Sequence, residues 1–222
     1  MYVPATPEQP AAPVSPLAPI EIATGGSSPG EAGLAGLGGA PAHTSLAVRR
    51  PDLNVLAGHA STIAGALEPG LAGRTVALQT LGAHGWSTIA STRTGRGGRF
   101  RVRYVPRRDG SERLRLRFAG DATALDARRS LGRLNVYRLA EASWYGGSGG
   151  LACGGELTSA TMGVANKTLP CGALVTLRYG ERTVQVRVID RGPYVAGREF
   201  DLTEATKRAL GFGDTGEVWS TR

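Results

Sequence analysis

The sequence predicts an all-β protein in which a β-sandwich is followed by a small closed barrel with one short helix. Three observations support this prediction. Residues 44–139 place apolar side chains at every second position between turn residues, which is the pattern of half-buried strands. Residues 140–222 contain short alternating segments and one helical period, a combination that suits a small barrel. The 33 glycines and 13 prolines indicate many turns.

The first segment of the chain differs in composition from the rest. Residues 1–43 are rich in proline, alanine and glycine and contain the run Pro-Glu-Gln-Pro-Ala-Ala-Pro-Val-Ser-Pro. Such a segment buries too little apolar surface to offset the entropy lost on ordering. We therefore predict a disordered linker over residues 1–43, which would suit a tether between an anchor and the folded modules.

Arginines alternate with apolar residues in two runs of the predicted sandwich. Apolar side chains at 100, 102 and 104 alternate with arginines, and the same alternation returns over 113–118 after a turn containing Asp109-Gly110. This pattern predicts an antiparallel hairpin with one solvated face. Phe100 and Tyr104 then face away from the arginines, so they form no stacking platform for nucleic-acid bases. Nucleic acid is not an expected partner, although the net charge of +8 predicts attraction to polyanions.

A short motif follows the second arginine run. The residues Phe118-Ala119-Gly120-Asp121 resemble a feature of bacterial immunoglobulin-like modules of surface proteins. The resemblance implies an immunoglobulin-like sandwich over residues 44–139. Such a module would act as a spacer or would bind wall polymers or proteins.

Several features bear on the compartment. No stretch approaches eighteen consecutive apolar residues, so no transmembrane segment is expected. The first thirty residues lack the basic and apolar regions of a secretory signal.

Cys153 and Cys171 are the only cysteines. As a disulfide they would contribute about 3 kcal/mol and indicate an oxidising compartment; the alternative is two unpaired core thiols. A zinc site is not expected, because every histidine lies far upstream of these cysteines.

The C-terminal segment has identifiable strands and one helix. Residues 173–179 and 183–189 alternate around a tight connection at Gly180, which predicts a hairpin. A helix after Asp201 is predicted to end at Gly211, a natural C-terminal capping residue. Val218 and Trp219 predict a last short strand.

Two aspartates flank the loop between the second strand and the helix. Asp190 ends the strand, and Asp201 opens the helix eleven residues later. The C-terminal third contains no histidine, so these carboxylates are its best candidates for chemistry. Each has a structural alternative: Asp190 as an ordinary turn residue, and Asp201 as a helix N-cap in a capping box with Glu204.

Four motifs in this segment identify a family. In order they are Ala142-Ser-Trp-Tyr-Gly146, Ala165-Asn166-Lys-Thr-Leu-Pro170, Val188-Ile-Asp190-Arg-Gly-Pro193 and Asp201-Leu202-Thr203. They resemble the rare lipoprotein A-like proteins over residues 140–222. The resemblance implies a six-stranded double-psi β-barrel, and well-studied members of the family are lytic transglycosylases that act on peptidoglycan. The cysteines resemble those of an exported subgroup, which implies the cell envelope or the extracellular space.

The resemblance also implies catalytic roles. Asp201 matches the family's proposed acid, which would protonate the leaving oxygen and then accept the proton of the muramyl 6-hydroxyl. Asp190, facing it across a groove, would raise the pKa of Asp201. Glu156 lies near the position of a further acidic residue of the family and is expected to support them. No cofactor or metal is expected.

Substrate contacts are expected from nearby side chains. Asn166 stands where the family usually has histidine; it can form hydrogen bonds but cannot titrate. Arg191 or Asn166 would orient the substrate. Trp144, Tyr145 and Tyr194 are candidates for stacking on sugar faces, with the barrel core as their alternative place. The expected partner is the glycan strand of peptidoglycan. Because expansins share similar motifs at 189–190 and 200–202, the alternative function is a module that binds or loosens wall polymers without cleaving them.

Overall fold

The computed structural model describes residues 40–222, so the predicted linker lies outside the described residues except for its last four. Within the described range the N-terminal part is built of strands and a 3-10 turn at Arg96–Gly98. The strands are β1 Ser45–Val48, β2 Asn54–Leu56, β3 Ser61–Glu68, β4 Thr75–Gly82, β5 Gly85–Arg93, β6 Arg99–Tyr104, β7 Gly110–Phe118 and β8 Ala127–Tyr145.

Two sheets of the N-terminal part enclose one apolar core. Strands β1, β3 and β6 form an antiparallel sheet. Strands β5, β4, β7 and the first half of β8 form the second sheet, and β2 joins β8 in parallel. Inward side chains of both sheets meet in the core, among them Ile63, Leu67, Val76, Leu78, Phe100, Val102, Leu114, Leu116 and Leu134. The architecture is a two-sheet sandwich; its assignment as immunoglobulin-like stays a prediction.

The predicted hairpin of residues 100–118 is wrong in its pairing. The alternation is as expected, since Phe100 and Leu116 are buried while Arg99 and Arg101 are exposed. However, β6 pairs with β3, whereas β7 pairs with β4 and β8 in the other sheet. Residues 105–109 carry the chain from one sheet to the other. Both arrangements bury one face of each strand, so alternation alone does not distinguish them.

Strand β8 is 19 residues long and belongs to both halves of the molecule. Its residues 127–136 pair with β7, and its residues 138–143 pair with the last strand of the barrel, β15 Thr215–Ser220. The predicted domain boundary at 139/140 lies inside this strand. The chain therefore passes from the sandwich into the barrel without a loop.

The C-terminal part is a closed barrel. Its further elements are β9 Gly149–Gly150, β10 Glu156–Leu157, β11 Val164–Ala165, β12 Leu174–Tyr179, β13 Arg182–Asp190, β14 Phe200–Thr203 and α1 Glu204–Leu210. Hydrogen bonding runs around the ring β8-β14-β11-β13-β12-β15 and back to β8. Apolar side chains from every strand of the ring fill its interior. The prediction of a six-stranded closed barrel with one short helix is confirmed.

Local features of the barrel also agree with the sequence. Strands β12 and β13 form the predicted hairpin, and α1 ends at Gly211, whose φ of 66° is left-handed. Glycine adopts this conformation without the steric penalty of a side chain. Cys153 and Cys171 form a disulfide. No helix in the described residues is long and apolar enough to cross a membrane.

Candidate active site

The two aspartates lie on either side of the short strand β11. Ala165 of β11 is in register with Asp190 of β13 and with Asp201 of β14. On the far side of β14, Asp201 is in register with Ser143 of β8. Because neighbouring strands are about 4.8 Å apart, the backbones of the two aspartates are separated by roughly 10 Å at one level of the barrel wall.

Asp201 is held by a side chain rather than by a helix end. Its Oδ1 accepts a hydrogen bond of 2.8 Å from Ser143 Oγ. The N-cap of α1 is Thr203, whose hydroxyl accepts from the backbone N–H of Thr206. The capping alternative for Asp201 is therefore wrong, because the helix begins two residues later than that alternative requires. Asp201 is half-buried, and within the described part of the chain its second carboxylate oxygen accepts no hydrogen bond.

The environment raises the pKa of Asp201 above that of a free aspartate. The largest cause is burial, which disfavours the charged form. The hydrogen bond from Ser143 and the charge of Arg198 act in the opposite direction, and the charge of Asp190 adds a smaller upward contribution. The expected second carboxylate is therefore present, but burial has the larger effect.

Asp190 anchors the loop that carries the disulfide. Its Oδ1 accepts hydrogen bonds of 2.9 Å from the backbone N–H groups of Ala152 and Arg191. The next residue of the loop, Cys153, donates its N–H to the carbonyl of Ile189. Asp190 is the last residue of β13 and not a turn residue; its carboxylate bonds the loop before Cys153 to the end of this strand.

Tyr145 lies close to both aspartates. It follows Ser143 by two positions in β8, so both side chains point to the same face of the strand. The hydroxyl of Tyr145 is buried and has no hydrogen-bond partner among the described residues. Burial, followed by the negative charges of Asp190 and Asp201, raises the pKa of Tyr145 far above its ordinary value. The phenol is therefore a neutral donor at any physiological pH.

Asn166 and Arg191 are engaged within the protein. Asn166 is 2% exposed; its amide oxygen accepts from the backbone of Thr168 and Leu169, and its amide nitrogen donates to the carbonyl of Glu199. Arg191 donates to the carbonyls of Asn166 and Leu169. Both side chains hold the loop 166–171 in place. Direct contact of either with substrate stays a prediction.

The three candidate aromatic residues lie in different places. Trp144 and Ser143 are consecutive in β8 and point to opposite faces. The Trp144 indole N–H donates to Asp214, and the ammonium of Lys207 lies 3.7 Å from the ring centroid. Trp144 is therefore on the face away from Asp201, whereas Tyr145 is near the aspartates. Tyr194, in the loop between the aspartates, is 82% exposed and free to stack on a sugar.

Glu156 is exposed on the loop between the cysteines, at the start of β10. Its side chain forms no hydrogen bond or ion pair within residues 40–222, and a supporting role stays a prediction. The same residues contain no cluster of three or more His, Cys, Asp or Glu side chains placed to hold a metal ion.

Sequence reasoning missed four residues around the site. Ser143 holds Asp201, and the charge of Arg198 opposes the rise in its pKa. Arg138 of β8 forms an ion pair with Glu199, just before β14. Alternation in β8 was a usable signal for Ser143, since it shares a face with Tyr145. The contact between Arg138 and Glu199 spans 61 residues and left no local signal.

Comparison with known proteins agrees with this topology. A family model described as lytic transglycolase matches residues 139–219. Probable endolytic peptidoglycan transglycosylases RlpA are similar: the protein from Synechocystis sp. is 36% identical over 108 residues, covering 42% of this chain and 33% of the relative. The protein from Aquifex aeolicus is 40% identical over 75 residues, covering 32% of this chain and 33% of the relative. The endolytic peptidoglycan transglycosylase RlpA of Pasteurella multocida is 46% identical over 54 residues, covering 23% of this chain and 18% of the relative.

The extent of these matches is limited. The chain spans about a third of the length of the first two relatives. Among solved structures, the Streptomyces papain inhibitor is similar over 39% of this chain and 94% of its own, with 24% identity and a TM-score of 0.32, a score too low to bear on function. The family match coincides with the closed barrel, from the second half of β8 to β15. Residues 139–219 are an RlpA-like double-psi β-barrel.

Proposed function

We propose that this protein is an endolytic lytic transglycosylase that cleaves the glycan strands of peptidoglycan, with Asp201 as the general acid and base. The observation that supports this best is the environment of Asp201. The carboxylate is held in a barrel strand by Ser143, and burial raises its pKa. A carboxyl group that keeps its proton closer to neutral pH is suited to protonating a leaving group.

One carboxyl group is sufficient for the reaction. The Asp201 carboxyl donates its proton to the glycosidic oxygen as the bond from this oxygen to the muramyl C1 breaks. The resulting carboxylate then accepts the proton of the muramyl 6-hydroxyl, whose oxygen bonds to C1 and forms the 1,6-anhydro ring. No water is consumed, and Asp201 ends in the protonated state in which it began.

The other site residues have supporting roles in this proposal. Ser143 orients the Asp201 carboxylate, and Asp190 fixes the disulfide loop beside it. Tyr194 is exposed in the loop between the two aspartates and would stack on a sugar ring. The proposal also puts the protein in the cell envelope, because disulfides such as Cys153–Cys171 persist in oxidising compartments.

The experiment is digestion of purified peptidoglycan sacculi. Wild-type protein should release soluble anhydromuramyl products, and Asp201→Asn should release none while still binding sacculi. Asp126→Asn is the matched control, because it makes the same chemical change at an exposed carboxylate of the sandwich and should retain activity. Product release by Asp201→Asn at the wild-type rate would refute the assignment.

A second function, expansin-like binding without cleavage, is favoured by one observation. Asn166 replaces the histidine usual in the family, and its amide is used to hold the loop 166–171, so no titratable side chain stands at that position. Wild-type protein that binds sacculi and releases no soluble products would support this function and exclude the first.

A further inference from the structure

The outer face of the three-stranded sheet contains a cavity that the proposed function does not use. The cavity has a volume of about 760 Å³ and lies over β1, β3 and β6, with the end of β5 at its rim. We call it the arginine cavity. It lies in the sandwich, whereas the aspartate site lies in the barrel.

Strand register explains the shape of the cavity. Ala47 of β1, Ala66 of β3 and Arg99 of β6 form one row across the sheet. The next row contains Ala64 of β3 and Arg101 of β6, and the backbone N–H of Arg49 bonds to the Ala64 carbonyl. Their neighbours Leu46, Ile63 and Leu67 are buried on the opposite face. Small side chains therefore form the floor, and long cationic side chains form the walls.

The positive charge of the cavity is not neutralised by the protein. Arg49, Arg93, Arg99 and Arg101 line it, and all four are exposed. None of them forms an ion pair within the part of the chain that the structure describes. Glu68 is the acidic residue that follows Ala66 on the same face of β3, and it too forms no ion pair there. One of the four, Arg93, donates a hydrogen bond of 3.2 Å to the Gly73 carbonyl. Guanidinium groups that line one concave surface favour phosphate or carboxylate ligands.

The spacing of the arginines favours a chain of regularly repeated charges. Arg99 and Arg101 are alternate residues of one strand, so their backbones are about 6.6–6.8 Å apart. A polyol phosphate chain repeats its charge at a comparable short interval. Peptidoglycan stem peptides also carry carboxylates, but on short branches rather than along one linear chain. The aromatic side chain between the two arginines, Phe100, borders the cavity but is only 5% exposed, so little of its ring is accessible for stacking on bases.

We propose that the arginine cavity binds a linear phosphodiester polymer without bases, such as a polyol phosphate chain of a cell wall. The arginines bind its phosphates through charge-assisted hydrogen bonds, and the alanine floor admits its narrow backbone. Bound in this way, the sandwich would hold the barrel at the wall independently of glycan cleavage. The proposal does not depend on the function proposed for the barrel.

The test is a binding titration of the purified full chain with a labelled synthetic oligomer of glycerol phosphate at physiological ionic strength. We expect saturable binding. The double variant Arg99→Gln/Arg101→Gln should lose about tenfold or more in affinity, because two charge-assisted hydrogen bonds are removed. The matched control Arg113→Gln/Arg129→Gln removes the same charge from exposed positions of the other sheet and should bind nearly as the wild type does.

A second variant tests the cavity without a change of charge. Ala66→Tyr places a bulky side chain on the floor and should also weaken binding, with folding verified by circular dichroism. The proposal is overturned if binding is not saturable, if both double variants lose affinity equally, or if Ala66→Tyr binds as the wild type does. Equal affinity for a thymidine oligonucleotide of the same charge would overturn the assigned ligand class.

Discussion

At the scale of single residues, the site is defined by how each polar group is satisfied. Asp201 accepts one hydrogen bond from Ser143 and is otherwise half-buried, whereas Asp190 binds two backbone N–H groups. Similar carboxyl groups thus have different surroundings, a common way in which proteins assign different roles to paired acids. The Tyr145 hydroxyl beside them is buried and has no hydrogen-bond partner within residues 40–222.

The first residue-scale prediction concerns stability and pH. Burial raises the pKa of Asp201 above its value in the unfolded chain, so the folded state retains this proton to higher pH. The stabilising contribution is complete below the unfolded pKa and is lost as the pH rises through the folded pKa. Asp201→Asn should therefore raise the melting temperature at pH 7 and leave it unchanged near about pH 3. Thermal melts at both pH values check this; a lower melting temperature at pH 7 would contradict it.

The second residue-scale prediction concerns the tuning of Asp201 by Ser143. Ser143→Ala removes a hydrogen bond that lowers the pKa of Asp201, so this pKa should rise further. NMR titration of the Asp201 carboxyl carbon measures the shift without reliance on activity. If the protein cleaves sacculi, its loss of activity at alkaline pH should move to higher pH. Ser143→Thr keeps a hydroxyl and should titrate close to the wild type; identical titration of Ser143→Ala would contradict the prediction.

At the scale of elements, the sequence predicted the strands and faces that local pattern determines. The β12–β13 hairpin and the end of α1 at Gly211 were correct because a tight turn and a left-handed glycine are local features. The pairing of β6 and β7 was wrong because the choice of sheet depends on distant strands. Helix α1 was predicted to follow Asp201, which is a good N-cap residue type. Strand β14 continues through Thr203, so the helix begins only at Glu204.

The disulfide provides a prediction at the same scale. Cys153→Ser/Cys171→Ser should lower the free energy of unfolding by about 3 kcal/mol, because it frees a loop that closes over 18 residues. Denaturant unfolding of wild type and variant gives the difference. Reductant should bring the wild type to the value of the variant and leave the variant unchanged. A loss well under about 1 kcal/mol would mean that Asp190 and the backbone bonds hold the loop without the covalent link.

At the scale of the whole molecule, sandwich and barrel are joined by contacts that no sequence window contains. Arg138, in the middle of β8, forms an ion pair with Glu199 before β14 and lies 3.9 Å from Asp109 in the turn between β6 and β7. The carbonyl of Glu199 in turn accepts from the buried Asn166. The sequence divided the chain at 139/140 from a change in pattern, and it did not reveal that one strand continues through this point.

The whole-molecule prediction is that Arg138 steadies the loop before Asp201. Arg138→Ala should increase amide hydrogen exchange over residues 191–199, with a loss of stability of up to about 1 kcal/mol, since the ion pair is partly exposed. Arg128→Ala, which removes a surface ion pair with Asp126 in the sandwich, is the control and should leave exchange in this loop unchanged. Equal exchange in both variants would show that the loop is held by other contacts.

The uninterrupted course of β8 has a consequence for how the two halves can be recombined. Successive side chains of a strand point to opposite faces. The number of residues between the buried Val136 of the sandwich and Ser143 of the barrel therefore determines which face each side chain occupies. Insertion of one residue between them would turn either Val136 to solvent or Ser143 away from Asp201. The unbroken strand therefore fixes the face of the barrel side chains relative to the face of the sandwich side chains. A sandwich from another protein could be fused to this barrel only if its last strand arrives in the same phase.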